Sequence, residues 1–254
     1  MVVVDSKIVA RTARLLLRPL AMEDAEDVLL MHQDAEVMKH TSLLPSADLA
    51  KTRAWIHGCH ASPINWNFAI ELLPSALASN PSTDPPNSPP KTPLTSTFPA
   101  FPPLDTTATT TLQYTPRVIG LIGAVRAPEI GYMFHPSYWG YGYATEALRA
   151  FLPLFFAHFD ASQTASIPPN PDDPTDSRPE DRTIPTEPVE RFDYAEAHTD
   201  TEHVTSHNVL RKAGFEVYET RFKDFENPVL GWRDTIVWRV HRGDVTKGNT
   251  DMRP

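Results

Sequence analysis

The stretch from Glu129 to Phe151, Glu-Ile-Gly-Tyr-Met-Phe-His-Pro-Ser-Tyr-Trp-Gly-Tyr-Gly-Tyr-Ala-Thr-Glu-Ala-Leu-Arg-Ala-Phe, passes through three kinds of local structure. Ile130 to Phe134 reads as a short apolar strand, broken by His135-Pro136-Ser137. Gly140-Tyr141-Gly142-Tyr143-Ala144 is a glycine-spaced loop. From Thr145 the period changes, and Leu148, Phe151, Leu152, Phe155 and Phe156 recur at helical spacing. A helix N-terminus leaves several backbone N–H groups without partners and carries a partial positive charge. Glycines let that backbone approach an anion with no Cβ in the way. Strand, glycine loop and helix in this order read as a phosphate cradle.

Two nucleotide cradles do not match. A P-loop needs Gly-Lys-Ser/Thr after its glycines, and no lysine follows here. The dinucleotide fingerprint needs a third glycine where Thr145 stands. Trp139-Gly140-Tyr141-Gly142-Tyr143-Ala144 resembles instead the pyrophosphate loop of the GNAT acetyltransferases, Arg/Gln-x-x-Gly-x-Gly/Ala, with Trp139 in place of the usual Arg or Gln. The longer run Gly140 to Ala147 resembles the RimJ/RimL-like branch of that superfamily. Taken alone, these six residues are also compatible with a plain glycine turn between a strand and a helix. A second segment, Thr199 to Phe215, is similar to the RimJ/RimL-type pattern Asn-x-x-Ser-x-x-x-Leu-x-Lys-x-Gly-Phe. Ser206, Leu210, Lys212, Gly214 and Phe215 match, and His203 replaces the leading Asn.

The rest of the chain supplies the elements around these motifs. Arg14 to Leu20 reads as a first strand, and Met22 to Asp34 as an amphipathic helix with its acids early. Ser46 opens a second helix through about His57. Asn65 to Leu72 alternates, with Trp66, Phe68 and Ile70 on one face. Arg117 to Val125 and Arg191 to His198 are further strands, with the Ile130 strand between them. Asp200-Thr201 offers a cap for a helix from about Glu202 to Ala213, closed by Gly214. Phe215 to Arg221 and Trp232 to Val240 are the last strands. Residues 74–116 and 160–188 are dominated by Pro and polar residues and read as two long disordered insertions. The expected organisation is one α+β unit over residues 11–240, a central mixed, mostly antiparallel sheet flanked by helices, with a flexible tail over 241–254. This is also the element order of the GNAT fold.

Composition narrows the function classes. A formal net charge of −9 argues against general nucleic-acid binding through phosphates. The single cysteine, Cys59, excludes an internal disulfide framework and suits a reducing compartment. No apolar run approaches the roughly 20 residues a bilayer requires. Asp5 and Lys7 interrupt the opening valines, against a secretory signal. A cytoplasmic or nuclear protein is expected, as a monomer or homodimer with no nucleic-acid, membrane or metal partner.

The resemblance implies acetyl-CoA as cosubstrate and direct transfer of the acetyl group to a primary amine, on a small molecule or a protein N-terminus. It implies cofactor contacts at Trp139, Gly140, Tyr141, Gly142, Tyr143, Ala144 and Thr145, with a thioester-binding N–H at Met133 or Phe134. His203 stands where a pantetheine contact is expected, and Ser206 where the departing sulfur needs a donor. An amine must also lose a proton, since lysine titrates near about 10.4 and an α-amine near about 7.7–8.0. The candidate bases rank Glu129, then Glu71, then His135, beside deprotonation through water alone. The competing class is a non-catalytic GNAT-fold protein that binds CoA or a partner, which the departures at Trp139 and His203 favour.

Overall fold

Eight strands form one sheet among the described residues, which are 9–62, 64–74, 117–160 and 191–248 of a computed structural model. They are β1 (Ala10–Arg11), β2 (Leu15–Pro19), β3 (Trp66–Leu72), β4 (Val118–Arg126), β5 (Glu129–Phe134), β6 (Tyr194–Asp200), β7 (Glu216–Asn227) and β8 (Gly231–His241). Side by side they run β1-β2-β3-β4-β5-β6-β8-β7, and every neighbouring pair is antiparallel except β5 and β6. This is the mixed, mostly antiparallel α+β architecture read from the sequence. The parallel pair is matched at one position, Glu129 opposite Glu196, after which the two strands part. A gap therefore opens within the sheet toward Phe134 and Asp200. Both proposed insertions lie outside the described residues, apart from Pro74 and Asp160 at their edges.

The helices are α1 (Ala25–His32), α2 (Ala35–Met38), α3 (Leu49–Cys59), α4 (Tyr143–His158), α5 (Val204–Lys212) and α6 (Arg242–Gly248). The single helix expected over Met22 to Asp34 is broken. A 3-10 turn at Met22–Asp24 leads into α1, and Asp34 then caps α2 by accepting from the amides of Glu36 and Val37 at 2.9 and 3.0 Å. For α3 the cap is Asp48 rather than Ser46, because its carboxylate reaches the Ala50 amide at 2.9 Å. Of the tail expected over 241–254, Arg242–Gly248 is helical and residues 249–254 lie outside the described residues. Arg242 anchors this helix, donating to Asp160 Oδ2 at 3.1 Å and to Phe192 O at 3.0 Å, while Val245 packs on the core.

Two apolar layers sandwich the β3–β5 part of the sheet. On one face Trp66, Phe68, Ile119, Ile122 and Ile130 meet the α4 stripe, in which Leu148, Phe151, Leu152 and Phe155 are at most 1% exposed. Fully burying each such side chain stabilises the fold by about 1.5–3 kcal/mol. On the other face Ala69, Val118 and Leu121 pack on Val28 and Met31 of α1 and Ile56 of α3. Val118 through Ala124 is consequently buried at every position. Beyond the gap only one face joins an apolar cluster. Ala195, Ala197, Trp238 and Val240 join the α4 side, whereas Glu196, His198 and Arg239 face the other way, outside the α1–α3 cluster.

Candidate active site

The glycine loop has the shape its composition suggests. Gly140 and Gly142 adopt φ of +84° and +81°, a region that side chains with a Cβ rarely enter, and Gly142 is the N-cap of α4. A Cβ at Gly140 would meet no heavy atom within 4 Å, and one at Gly142 only Arg14 Nη2 at 3.6 Å. The loop thus faces open space. Glu146 is the first α4 residue to bond back, to Gly142 O at 3.1 Å, so the amides of Tyr143, Ala144 and Thr145 have no intrahelical partner. These are the features a pyrophosphate requires, and the residues present fit one.

Trp139 plays a different part from the Arg or Gln it replaces. Its indole N–H donates to Phe134 O at 2.7 Å, tying the loop to the end of β5. Positive charge beside the loop comes from Arg14, just before β2. Its guanidinium donates to Tyr141 O at 3.0 Å and to Glu146 Oε2 at 2.7 Å, and lies 4.5 Å from the Tyr143 ring centroid. Nothing local marks Arg14 in the sequence, because its partners are more than a hundred residues away.

Backbone direction separates the two candidate oxyanion donors. Glu196 N donates to Pro128 O, and His135 N donates to Ile119 O of β4. Strand backbone alternates, so even-numbered residues of β5 turn their amides toward β6 and odd-numbered ones toward β4. The Phe134 N–H therefore points into the gap, while that of Met133 points at β4. Tyr132, also on β5, reaches Ser206 of α5, with the two hydroxyl oxygens 2.7 Å apart. Burial pushes the Tyr132 phenol up to about 12, against the lowering effect of the Ser206 hydrogen bond. The sequence singled out Ser206 but not Tyr132, whose contact with it becomes visible only when β5 and α5 are brought together.

Of the three base candidates, only Glu129 lies beside the gap. Its carboxylate sits where β5 and β6 still touch, bonded to Arg126 at 2.7 Å and 3.6 Å from His198 Nδ1. Glu71 is held elsewhere, between Arg18 at 2.7 Å and Arg117 at 3.1 Å, in a cluster that also fixes the buried Asp24. Burial alone would raise the Asp24 pKa, but Arg18, the Ala21 amide and Arg117 lower it further. His135 accepts from the Ser137 amide at 3.3 Å and so caps the turn before the loop. Three residues that the sequence reading passed over complete the row next to Glu129. His198 Nε2 is 2.7 Å from Glu196 Oε1, and Arg239 donates to Glu196 Oε2 at 2.6 Å.

His203 precedes α5 and stacks on His40, with ring centroids 4.4 Å apart. Burial, then the neighbouring His40 and His207, bring its pKa down to about 4. Asp200 was expected to cap α5, and it does accept from the Glu202 amide at 2.8 Å. Its main partner is nevertheless Arg233, whose Nε and Nη2 reach its two oxygens at 2.8 and 3.0 Å. The helix accordingly starts at Val204. Asn227 in turn ties the β7–β8 hairpin to the α2–α3 loop, donating to Lys39 O and Thr41 O at 2.9 Å.

Among the described residues no group of three or more His, Cys, Asp or Glu is placed to hold a metal ion, and no helix is long and apolar enough to cross a membrane. No curated protein matches the chain in sequence. Solved structures of similar shape include the GNAT-family acetyltransferase from Bacillus anthracis, 17% identical, with a TM-score of 0.56 over 92% of this chain and 98% of that one. The spermidine N-acetyltransferase from Vibrio cholerae, solved with CoA and spermine, is 11% identical, with a TM-score of 0.57 over 92% and 99%. The microcin C7 self-immunity acetyltransferase MccE, solved with acetyl-CoA and AMP, is 10% identical, with a TM-score of 0.52 over 91% and 93%. At such identities the likeness is one of fold. The sequence itself matches the family model of the acetyltransferase (GNAT) domain over residues 14–92 and 97–216. With that match spanning most of the chain, the protein belongs to the GNAT acetyltransferase family.

Proposed function

We propose that the chain is an acetyl-CoA-dependent N-acetyltransferase of the RimJ/RimL-like kind, passing the acetyl group directly to a primary amine. The observation that carries this reading is the open glycine cradle at the start of α4, set beside the gap between β5 and β6. Ser206, Leu210, Lys212, Gly214 and Phe215 support the branch. Neighbouring structures solved with CoA, acetyl-CoA and spermine support the cosubstrate and the acceptor class.

Acetyl-CoA, when bound, supplies an activated acetyl thioester. The amides of residues 140–145, at the positive end of α4, hold the pyrophosphate. The Phe134 N–H donates to the carbonyl oxygen as charge develops on it. Tyr132 keeps its proton at neutral pH, so the Tyr132–Ser206 hydroxyl pair has a hydrogen to donate to sulfur. A second reading, a CoA-binding protein without catalysis, has two observations in its favour. Trp139 uses its N–H on Phe134 O, and His203 stacks on His40, so neither offers the group usual at its motif position.

Calorimetry with acetyl-CoA, followed by thiol release across α-amines, free amino acids and polyamines, separates the two. The parent is expected to bind and to release thiol with at least one acceptor. Gly142→Glu places bulk, a negative charge and a strained φ beside the pyrophosphate, and affinity should fall at least about tenfold, or roughly 1.4 kcal/mol. Binding without thiol release from any amine selects the second reading. Equal affinity in a folded Gly142→Glu variant would reduce the loop to a plain turn.

A further inference from the structure

We infer that His198 is the proton acceptor for the incoming amine, held in register by Glu196 as its positioning residue, on the charged face of the sheet at the head of the gap. The inference rests on the acetyltransferase reading and names the part of that site which the sequence motifs leave blank. A carboxylate can only accept, so the 2.7 Å contact to Glu196 Oε1 places the hydrogen on His198 Nε2 and leaves the lone pair on Nδ1. Glu196 is itself immobilised. Arg239 donates to its other oxygen at 2.6 Å, and the guanidinium lies 3.4 Å from the Tyr218 ring centroid and 4.3 Å from that of Tyr194. Burial alone would raise the Glu196 pKa, but hydrogen bonds from His198 and Arg239 outweigh it and keep the carboxylate ionised. The arrangement is an imidazole oriented by an anion, as proton-accepting histidines require.

The other ring nitrogen faces a space that water can enter. Nδ1 is 3.6 Å from Glu129 Oε1, too far for a direct hydrogen bond. Glu129 keeps its own charge balanced through Arg126 Nη2 at 2.7 Å. Gly131 lies two residues beyond Glu129, as His198 lies two beyond Glu196, so glycine and imidazole share a level. A Cβ at Gly131 would meet only Val125 Cγ1, at 3.1 Å, so no β6 atom lies within 4 Å of that position. The His198 side chain retains 26% of its exposure. Phe134 is three residues further along β5, roughly 10 Å of strand. The proton therefore reaches Nδ1 through water in that space. The charged groups facing the imidazole are Glu129 of β5, Glu196 of β6, and beyond them Arg126 and Arg239.

The reaction converts one ammonium and one acetyl thioester into one amide, one thiol and one proton. The first proton must leave the ammonium before its lone pair is free, and this one passes to Nδ1 and then to solvent. The N–C bond forms as the C–S bond breaks. Sulfur leaves with the bonding electron pair and gains the second nitrogen proton by way of the Tyr132–Ser206 pair.

The test uses His198→Gln, which keeps an N–H for Glu196 but cannot take a proton. The rate with an accepted amine should fall about 100-fold at pH 7 and recover as pH approaches the amine's own pKa, where solvent supplies free amine. Calorimetric affinity for acetyl-CoA should stay within about twofold. Glu196→Gln should move the acid limb of the pH–rate profile with a smaller loss. Imidazole ¹⁵N NMR of the parent without acetyl-CoA should show the Nε2–H tautomer, a readout independent of turnover. A parent-like rate and pH profile in His198→Gln, or the Nδ1–H tautomer, overturns the assignment of His198 and leaves the acetyltransferase reading intact. A parent that binds no acetyl-CoA overturns both.

Discussion

The two halves of the sheet are held by different forces. From β2 to β5, apolar side chains fill both faces, and Val118 to Ala124 has no exposed position. From β6 through β8 to β7 one face is apolar and the other is built from ion pairs, while β7 buries only Asn227. Burial is non-directional, so the apolar contacts of the first half stabilise it without fixing polar atoms, a task that falls there to the Arg18–Asp24–Glu71–Arg117 cluster. The second half fixes atoms, because hydrogen-bonded charges tolerate little displacement. The gap between β5 and β6 is where these two kinds of structure meet. The acetyltransferase site proposed above would lie on that boundary, where one group is held by shape and a proton is moved at another.

The contrast can be broken first in the apolar half. Phe151 touches Trp66, Phe68 and Phe155 at centroid distances of 5.9, 5.7 and 6.2 Å and has no exposed surface. Phe151→Ala should cost about 3–5 kcal/mol, seen as a fall in Tm of roughly 10 °C or more. A change of only a few degrees would mean that α4 is not the main source of stability. In the charged half, Asp200→Asn keeps the shape but weakens the hold on Arg233, which retains Glu202 at 2.8 Å. Denaturant unfolding should show a loss of about 2–3 kcal/mol. Burial raises the Asp200 pKa, but Arg233, the Glu202 amide and His40 bring it down to about 2. Its contribution should therefore be complete above about pH 4 and fade toward pH 2 in the parent, and be missing from the variant.

His203 gives a milder, pH-dependent test. Its folded pKa is depressed to about 4, so between about pH 6.5 and 4 the unfolded chain takes up a proton that the folded ring refuses. Parent stability should fall as pH drops through that window. His203→Asn, the residue usual at this motif position, should flatten the fall by roughly 3–6 °C in Tm between the two ends. Parallel melting curves for parent and variant would show that the His40–His203 stack does not resist protonation. The smallest effect is expected at Phe222, 79% exposed on β7, where Phe222→Ser should change stability by no more than about 0.5 kcal/mol. A large loss there would reveal a covering that makes the two halves more alike.

What was legible in the sequence follows the same division. The α4 stripe and the β3 alternation declare themselves because burial imposes a period on neighbouring residues, and the two glycines mark φ values that their neighbours could not adopt. The ion pairs leave no such trace. Arg239 meets Glu196 across 43 residues and Arg233 meets Asp200 across 33, so Asp200 looked like a simple helix cap. Glu71 ranked as a candidate base because Arg18 and Arg117 become its neighbours only after folding. Arg14 stayed invisible for the same reason, and Tyr132 was one apolar-strand aromatic among several. The two-residue β1 is too short to show a period, and α6 was missed because Gly243 and Gly248 bracket a segment in which Val245 is the main apolar anchor.

Asn227 has a consequence for motion. Its amide nitrogen holds the carbonyls of Lys39 and Thr41, and its oxygen accepts from the amides of Val229 and Leu230 at 2.9 and 2.8 Å, so one side chain bridges two loop tips. The α2–α3 loop and the β7–β8 hairpin cannot swing apart independently while these four bonds persist. Slow hydrogen exchange at Val229 and Leu230 would thus time the opening of a jaw whose other half carries His40, and an asparagine far from either glycine motif would set how often that jaw yawns.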